Sequence, residues 1–434
     1  MKRIVSLFLI CVLVLSCFVG CTKQENPTEP PTTETKPVET PGVTEPAEKD
    51  PDVTPTYPII EASKGLGFNN FETAWFNYIN QTKSTENYMV SPLSLKMAMA
   101  LAAAGANTDT LDEILVAFEY ATLDDYLNWG KVLLAHEDEV NTEIEEYKQA
   151  PWIDDNYDAG YSIANSIWHN TDKPGEFLDL YKEYMGELDA MFNELPGPEL
   201  KDAINTWVDE KTHGLIPQLF NDDLSDYSNI LVNTLYMKSN WIYTFNEYAT
   251  AEGDFTTITG EVVKKDMMKL EETFKYYKDD NSELVILPME HGFKMAIVLG
   301  SNENILEKIN AAEYELVNVK MPKFEIETTL DDIVPFMESM GVKLAFDKEN
   351  ADFTNMTTIN NYIDKIIQKT KIKLDENGVE AAAVTAIVMD ATSALPMDPP
   401  KPIYFEADEA FTFYIFTDVA EDATELLFYG QYVQ

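Results

Sequence analysis

The stretch Glu376-Asn377-Gly378-Val379-Glu380-Ala381-Ala382-Ala383-Val384-Thr385 carries two incompatible structural instructions. Just before it, Lys371-Ile372-Lys373-Leu374-Asp375 alternates polar and apolar residues with period 2, the pattern of a half-buried strand, and Gly378 interrupts the alternation. If the count of two continues, Val379, Ala381, Ala383, Thr385, Ile387 and Met389 share one face, all small or apolar. Glu380, Ala382, Val384, Ala386, Val388 and Asp390 share the other face, which holds the charges. Alanine is also the best helix former, so the same residues read equally well as an amphipathic helix. The segment reads either as a mobile loop able to become a strand or as an alanine-rich amphipathic helix, and the rest of the chain has to decide.

Working outward, ordered motifs appear on both sides. Asn87-Tyr88-Met89-Val90-Ser91-Pro92-Leu93-Ser94 is followed by Ala98-Met99-Ala100-Leu101, Gly105-Ala106 and Thr110. Ile204-Asn205, Trp207-Val208, Thr212, Gly214 and Ile216 form a second group, and Leu231-Val232-Asn233-Thr234-Leu235-Tyr236-Met237-Lys238 with Trp241 and Phe245 a third. Then come Val319-Lys320-Met321-Pro322-Lys323-Phe324-Glu325-Ile326-Glu327, Met340-Gly341-Val342 with Phe346, Ala351-Asp352-Phe353, and finally Leu427-Phe428-Tyr429-Gly430-Gln431-Tyr432-Val433. Each is weak alone. In this order and spacing, from about Gly67 to Gln434, they resemble the serpin family, the serine-protease inhibitors that act by inserting a reactive loop, and the opening stretch is similar to that family's hinge.

The resemblance implies an α+β serpin fold: a helical N-terminal half packed on a large central sheet A, with further sheets B and C and an exposed reactive loop. It also implies a suicide inhibitor of serine endopeptidases. The target attacks the loop with its own nucleophile and forms an acyl-enzyme. Insertion of the cut loop as a new strand then carries the protease on the order of 50 Å, at about 3.3 Å per residue, before it can deacylate. By position, Ser91, Ser94, Asn233 and Gln368 match the family's shutter, with Gln368 where a histidine is usual; an amide both donates and accepts, so a network survives without an imidazole. Lys323 and Trp241 match the breach at the top of the sheet, beside Glu376. The hinge is Glu376, Gly378, Val379, Glu380, Ala381, Ala382, Ala383, Val384 and Thr385. Sixteen residues on from Glu376, the family's count, gives Thr392-Ser393 as the reactive bond; a count back from Phe405 falls about four residues later. Ala391, Thr392, Ser393 and Ala394 suit elastase-like or subtilisin-like pockets, and no Lys or Arg occurs between Gly378 and Lys401. Papain-like cysteine proteases are secondary candidates. The alternative within the fold is a non-inhibitory carrier, chaperone or structural lipoprotein, which would be expected to place proline or charge at Val379, Ala381, Ala383 or Thr385. None is there.

Of 434 residues, 45% are hydrophobic, enough for a large core, and the net charge is −45. Such a surface repels phosphate backbones and sulfated polysaccharides, so neither nucleic acid nor a heparin-like activator is an expected partner. All three cysteines, Cys11, Cys17 and Cys21, precede the folded body and leave it without a disulfide framework. Met1-Lys2-Arg3 is a basic head, Ile4 to Phe18 an apolar core, and Phe18-Val19-Gly20-Cys21 resembles a bacterial lipobox, though an ordinary signal peptide or uncleaved anchor would share the first two parts. Lipidation at Cys21 would add at least two acyl chains, which suffices for stable anchoring on the outer face of a membrane at the bacterial cell surface. Thr22 to Pro58, rich in Pro, Thr and Glu, cannot offset its ordering entropy and reads as a linker. At roughly 3.1 Å per residue it would reach on the order of 100 Å. The expected organisation is a lipoprotein signal over 1–20, lipidated cysteine and linker over 21–58, and a monomeric serpin domain over 59–434.

Helical patterns begin at Phe68, Phe71, Trp75 and Ile79, continue from the Ser91-Pro92 cap to Ala104, and recur over Thr110 to Phe118, Pro174 to Met191, Lys201 to Asp209 and Leu330 to Met340. Strand patterns follow at Ile230 to Trp241, Ser282 to Pro288, Phe293 to Leu299, Leu316 to Glu327, Tyr362 to Leu374, Ile403 to Ala407, Ala410 to Asp418 and Glu425 to Val433. Enzyme signatures are missing: no His-Glu-x-x-His, no Gly-x-Ser-x-Gly, no phosphate-binding loop, and four scattered histidines. His136 heads the run Glu137-Asp138-Glu139, read as a solvated face. No catalysis, cofactor or metal site is expected. A solute-binding lipoprotein would share the signal and linker but explains none of the ordered motifs.

Overall fold

The computed structural model describes residues 70–151, 153, 157–359, 361–379, 401–420 and 423–434. The signal segment with Cys21, the linker, the hinge beyond Val379 and the expected reactive bond at Thr392-Ser393 lie outside the described residues.

Helices dominate early. They are α1 (Asn70–Thr82), α2 (Pro92–Gly105), α3 (Thr108–Ala117), α4 (Leu123–Lys148), α5 (Asp179–Glu187) and α6 (Gly197–Lys211), interleaved with strands β1 (Tyr88–Val90), β2 (Gly160–Asn170) and β3 (Ala190–Leu195). Strands follow: β4 (Asn229–Asn240), β5 (Ala251–Thr256), β6 (Val262–Lys278), β7 (Ser282–Pro288), β8 (Phe293–Gly300), β9 (Glu313–Pro322), β10 (Phe324–Leu330), β11 (Gln368–Leu374), β12 (Gly378–Val379), β13 (Ile403–Glu406), β14 (Phe411–Ala420) and β15 (Ala423–Tyr432), with short α7 (Ile305–Ala311) and α8 (Val334–Ser339) between them.

Two sheets result. One is six-stranded in the order β10-β11-β12-β4-β2-β3 and matches the expected central sheet. The other runs β1-β15-β14-β8-β7-β6-β9-β13, with β5 on β6. Two further sheets were expected; here β6, 17 residues long, pairs β7 at one end and β9 and β5 at the other, and so joins them.

Helix α2 is the spine between the sheets. Ser91 caps it, its Oγ accepting from Ser94 N–H at 3.0 Å, and Pro92 supplies the pre-set first turn. Alanines and small residues let it lie close: Ala100 to Gly105 are all buried. Trp75 and Phe76 of α1, Tyr414 of β14 and Tyr429 of β15 extend that core, with the Phe76 and Tyr429 rings 4.1 Å apart.

Several sequence expectations change. The helix read over Pro174 to Met191 is confined to Asp179–Glu187, and Ala190–Leu195 becomes edge strand β3. The strand read over Leu316 to Glu327 breaks after Pro322, which has no N–H for a ladder, and continues in the other sheet as β10. The strand read from Tyr362 starts only at Gln368, because Ile363 N–H goes to Ala345 and Ile366 C=O accepts from Ile333. Helix α4, 26 residues long, gave no apolar signal strong enough to be read. Its Glu137 is not part of a solvated face: burial first of all, against β2, pushes that carboxyl up to about 7, although Ile163 N–H and the Ser162 hydroxyl bond to it. No helix among the described residues is long and apolar enough to cross a membrane.

Candidate functional site

The first residues of the quoted stretch, Glu376 to Val379, lead into the central sheet. After β11 the chain turns at Asp375–Asn377 and comes back as β12, antiparallel to both neighbours, with Val379 opposite Leu374 on β11 and opposite Ser239 on β4, and Gly378 opposite Asn240. A β-carbon on Gly378 would stand 2.3 Å from the Ser239 carbonyl oxygen, so only glycine lets the hinge approach β4 this closely. Among the described residues no ladder joins β4 to β11 below β12, and the sheet is parted there. A narrow void of about 20 Å³, lined by Leu235, Met237, Thr370 and Ile372, lies under Val379. Farther down the gap widens into a cavity of about 540 Å³ whose walls include Ser91, Ser94, Asn233, Leu235, Gln368 and Thr370.

At the top, the hinge is held by a compact polar cluster. Glu376, 4% exposed, bonds Lys323 Nζ at 3.0 Å and accepts the Thr250 hydroxyl at 2.7 Å. Trp241 Nε1 donates to Asp375 C=O at 3.0 Å, its backbone N–H to Asn377 C=O at 2.8 Å, and Phe245 N–H to Glu376 C=O at 2.9 Å. Burial works to raise the Glu376 carboxyl, but the Thr250 hydroxyl and then the Lys323 ammonium outweigh it and hold the group below its ordinary 4.5. The sign follows. A carboxyl depressed in the folded state binds fewer protons than in the unfolded chain, so its stabilisation is present above about pH 4.5 and lost as pH falls through the lowered value. Glu376→Gln is therefore expected to cost about 2 kcal/mol at pH 7 and to flatten the acid limb of the stability profile, measured by denaturant unfolding between pH 3 and 7.

In the middle, Gln368 Oε1 accepts Ser91 N–H at 3.0 Å and its Nε2 donates to Ser91 C=O at 2.7 Å, so the amide uses both its functions on one residue. Ser94 joins through the α2 cap. Asn233 stands apart from these three, across the cavity. Its Nδ2 donates to Asn165 Oδ1 at 2.9 Å on β2, while its Oδ1 is buried without a partner among the described residues. Three residues of this region escaped sequence reading: Thr250, Thr328, which takes Met89 N–H at 2.9 Å, and Thr370, which donates to Met89 C=O. Threonines in strands are too common for a signal. Among the described residues, no group of three or more His, Cys, Asp or Glu is placed to hold a metal ion.

A family model described as serpin (serine protease inhibitor) matches residues 67–434. Iripin-8 of Ixodes ricinus is 30% identical over 368 residues, covering 78% of this chain and 87% of that protein. Leukocyte elastase inhibitor of Xenopus laevis is 27% identical over 387 residues, 82% of this chain and 95% of the relative. Among solved structures, Serpin48 of the insect Tenebrio molitor, titled a highly specific serpin, superposes with a TM-score of 0.65 at 27% identity, covering 84% of this chain and 96% of that one.

Proposed function

The chain belongs to the serpin family, and from that premise we propose that it is a covalent, loop-inserting inhibitor of serine endopeptidases, of elastase-like or subtilisin-like specificity, displayed on the cell surface by a lipid anchor. The observation that carries the inhibitory reading is the parted sheet with Gly378 and Val379 already paired at its mouth. Continued downward, the same two registers would set Ala381 between Met237 and Ile372, Ala383 between Leu235 and Thr370, and Thr385 between Asn233 and Gln368. Thr385 would then arrive, hydroxyl first, beside the unpartnered Asn233 Oδ1. Every one of these inward positions is small enough to enter.

For the target class, the support is the run Ala391-Thr392-Ser393-Ala394 and the likeness to a relative named for elastase inhibition. The protein contributes bait and mechanics, and the protease contributes the chemistry. Mixing the folded body with elastase-like, subtilisin-like, trypsin-like and papain-like proteases should give a denaturant-resistant covalent adduct with the first two and release a C-terminal peptide starting at Ser393. Clean cleavage without any adduct, across the panel, would favour a non-inhibitory member of the family.

Anchoring rests on the basic head, the apolar core and Cys21. Cys21→Ala is expected to move the protein from the membrane fraction to the soluble one or to leave the precursor unprocessed. Unchanged membrane association with normal processing would reject a lipid at Cys21.

A further inference from the structure

The end of β4 that receives the hinge is gripped from its other side by the turn between β7 and β8. Within Glu290–Gly292, His291 and Gly292 both have positive φ, 57° and 81°, which sharpens the hairpin; Glu290 faces β4, while the His291 ring packs against Tyr147 and Tyr157. The contacts run residue by residue along the strand. Ser239 Oγ donates to Glu290 C=O at 3.0 Å, Asn240 Nδ2 to Glu290 Oε2 at 3.0 Å, Trp241 bridges Met289, and Ile242 N–H donates to Pro288 C=O at 3.0 Å. Ser239 and Asn240 are the residues opposite Val379 and Gly378.

The Glu290 carboxylate is the knot. Besides Asn240 it accepts the Tyr157 hydroxyl at 2.8 Å and, at 3.4 Å, that of Tyr147 on α4. The Tyr157 oxygen also lies 2.6 Å from His291 Nε2, and the Nδ1 of that ring faces Glu143 at 3.7 Å. A half-buried carboxylate with three donors from three parts of the chain is well satisfied and hard to displace.

We propose that Glu290 is a positioning residue for loop insertion: by holding Asn240 and Ser239 in register it presets the strand edge on which the hinge nucleates, and it ties that edge to α4. The proposal rests on the inhibitory reading above. Insertion competes with deacylation, so a frayed landing edge slows the first and sends more inhibitor down the substrate path. Initial attack on the loop does not involve this edge.

The test measures, for each variant against one elastase-like protease, the inhibitor molecules consumed per protease blocked and the rate of loop cleavage. Wild type comes first: if it forms no adduct, the inhibitory reading fails and the variants are read instead by amide exchange at Ser239 and Asn240, which the latch must protect in any case. Given a working wild type, Glu290→Ala should slow insertion roughly tenfold, the factor for one charge-assisted hydrogen bond, and raise consumption accordingly with the cleavage rate unchanged. Glu290→Gln, which keeps a carbonyl oxygen for Asn240, should restore most of it. Asn240→Ala removes the partner from the other strand, keeps the test open if Glu290→Ala fails to fold, and should not add to it in the double variant. Unchanged consumption in both single variants, additive effects, or amides at Ser239 and Asn240 that exchange equally fast with and without Glu290 would overturn the proposal.

Discussion

Cutting the reactive loop beside Thr392 is expected to raise the thermal unfolding midpoint by on the order of 10 °C or more, the reverse of what a backbone break ordinarily does. Among the described residues, β4 and β11 are joined only through the two residues of β12, and no ladder links them below it. On the proposed mechanism, cleavage would free residues 380–392 to extend β12 downward. Each new residue gives its backbone N–H and C=O to the neighbouring strands, and each such bond is worth a net ~1 kcal/mol. Val379, Ala381, Ala383, Thr385, Ile387 and Met389 would bury a small and apolar face against the α2 side. The twelve residues of β4 could accept residues 378–389 in the register already begun, which would leave the bond at Thr392 beyond the foot of the sheet. Differential scanning calorimetry before and after clean cleavage checks this; an unchanged or lowered midpoint would favour a non-inhibitory role.

The second large effect comes from one side chain. Ala383→Arg should convert the protein from inhibitor to substrate. In the continued register Ala383 lies between Leu235 and Thr370, both buried, and Thr370 spends its hydroxyl on Met89 C=O. An arginine there would bury a charge with no partner, a penalty of about 3–5 kcal/mol, whereas the stability of the uncut molecule should not change. Insertion then loses to deacylation by two orders of magnitude or more. Ala382→Arg is the control. Its neighbours are Tyr236 and Lys371, and Lys371 reaches Glu325 at 3.0 Å on the outer face, where a cation finds solvent and carboxylates. Inhibitor consumption per blocked protease should rise steeply for Ala383→Arg and modestly for Ala382→Arg. Equal values for wild type and Ala383→Arg would remove strand insertion as the mechanism.

How much of this was legible in the sequence differs by element. The hinge announced itself because a period-2 strand, a glycine and a small-residue face are local patterns, and Glu376, Lys323 and Trp241 do meet at the top of the sheet as their positions implied. Gln368 with Ser91 was equally readable, since an amide in place of an imidazole still pairs with one backbone group each way. Asn233 was grouped with them, yet it lies across the cavity on Asn165; whether a sheet is parted is a property of long-range pairing that no local pattern encodes. Helix α4 hid because its buried residues, Tyr126, Leu127, Gly130, Leu133, Val140 and Ile144, are spread thinly among acids. Strand β2 hid because, covered on both faces, it has no alternation to read. The latch at Glu290 was invisible for the same reason as Thr250: its partners come from residues 50 and 133 positions away.

The most direct measurement of the central claim is amide hydrogen exchange across the gap, before and after loop cleavage. If the loop enters between β4 and β11 in the register begun by Gly378 and Val379, the amides of Leu231 to Lys238 and of Lys369 to Ile372 that face the gap should pass from fast exchange to full protection. The residues of β7 and β8, paired throughout, serve as the unchanged reference. Gap-facing amides that exchange as fast after cleavage as before it would contradict the account.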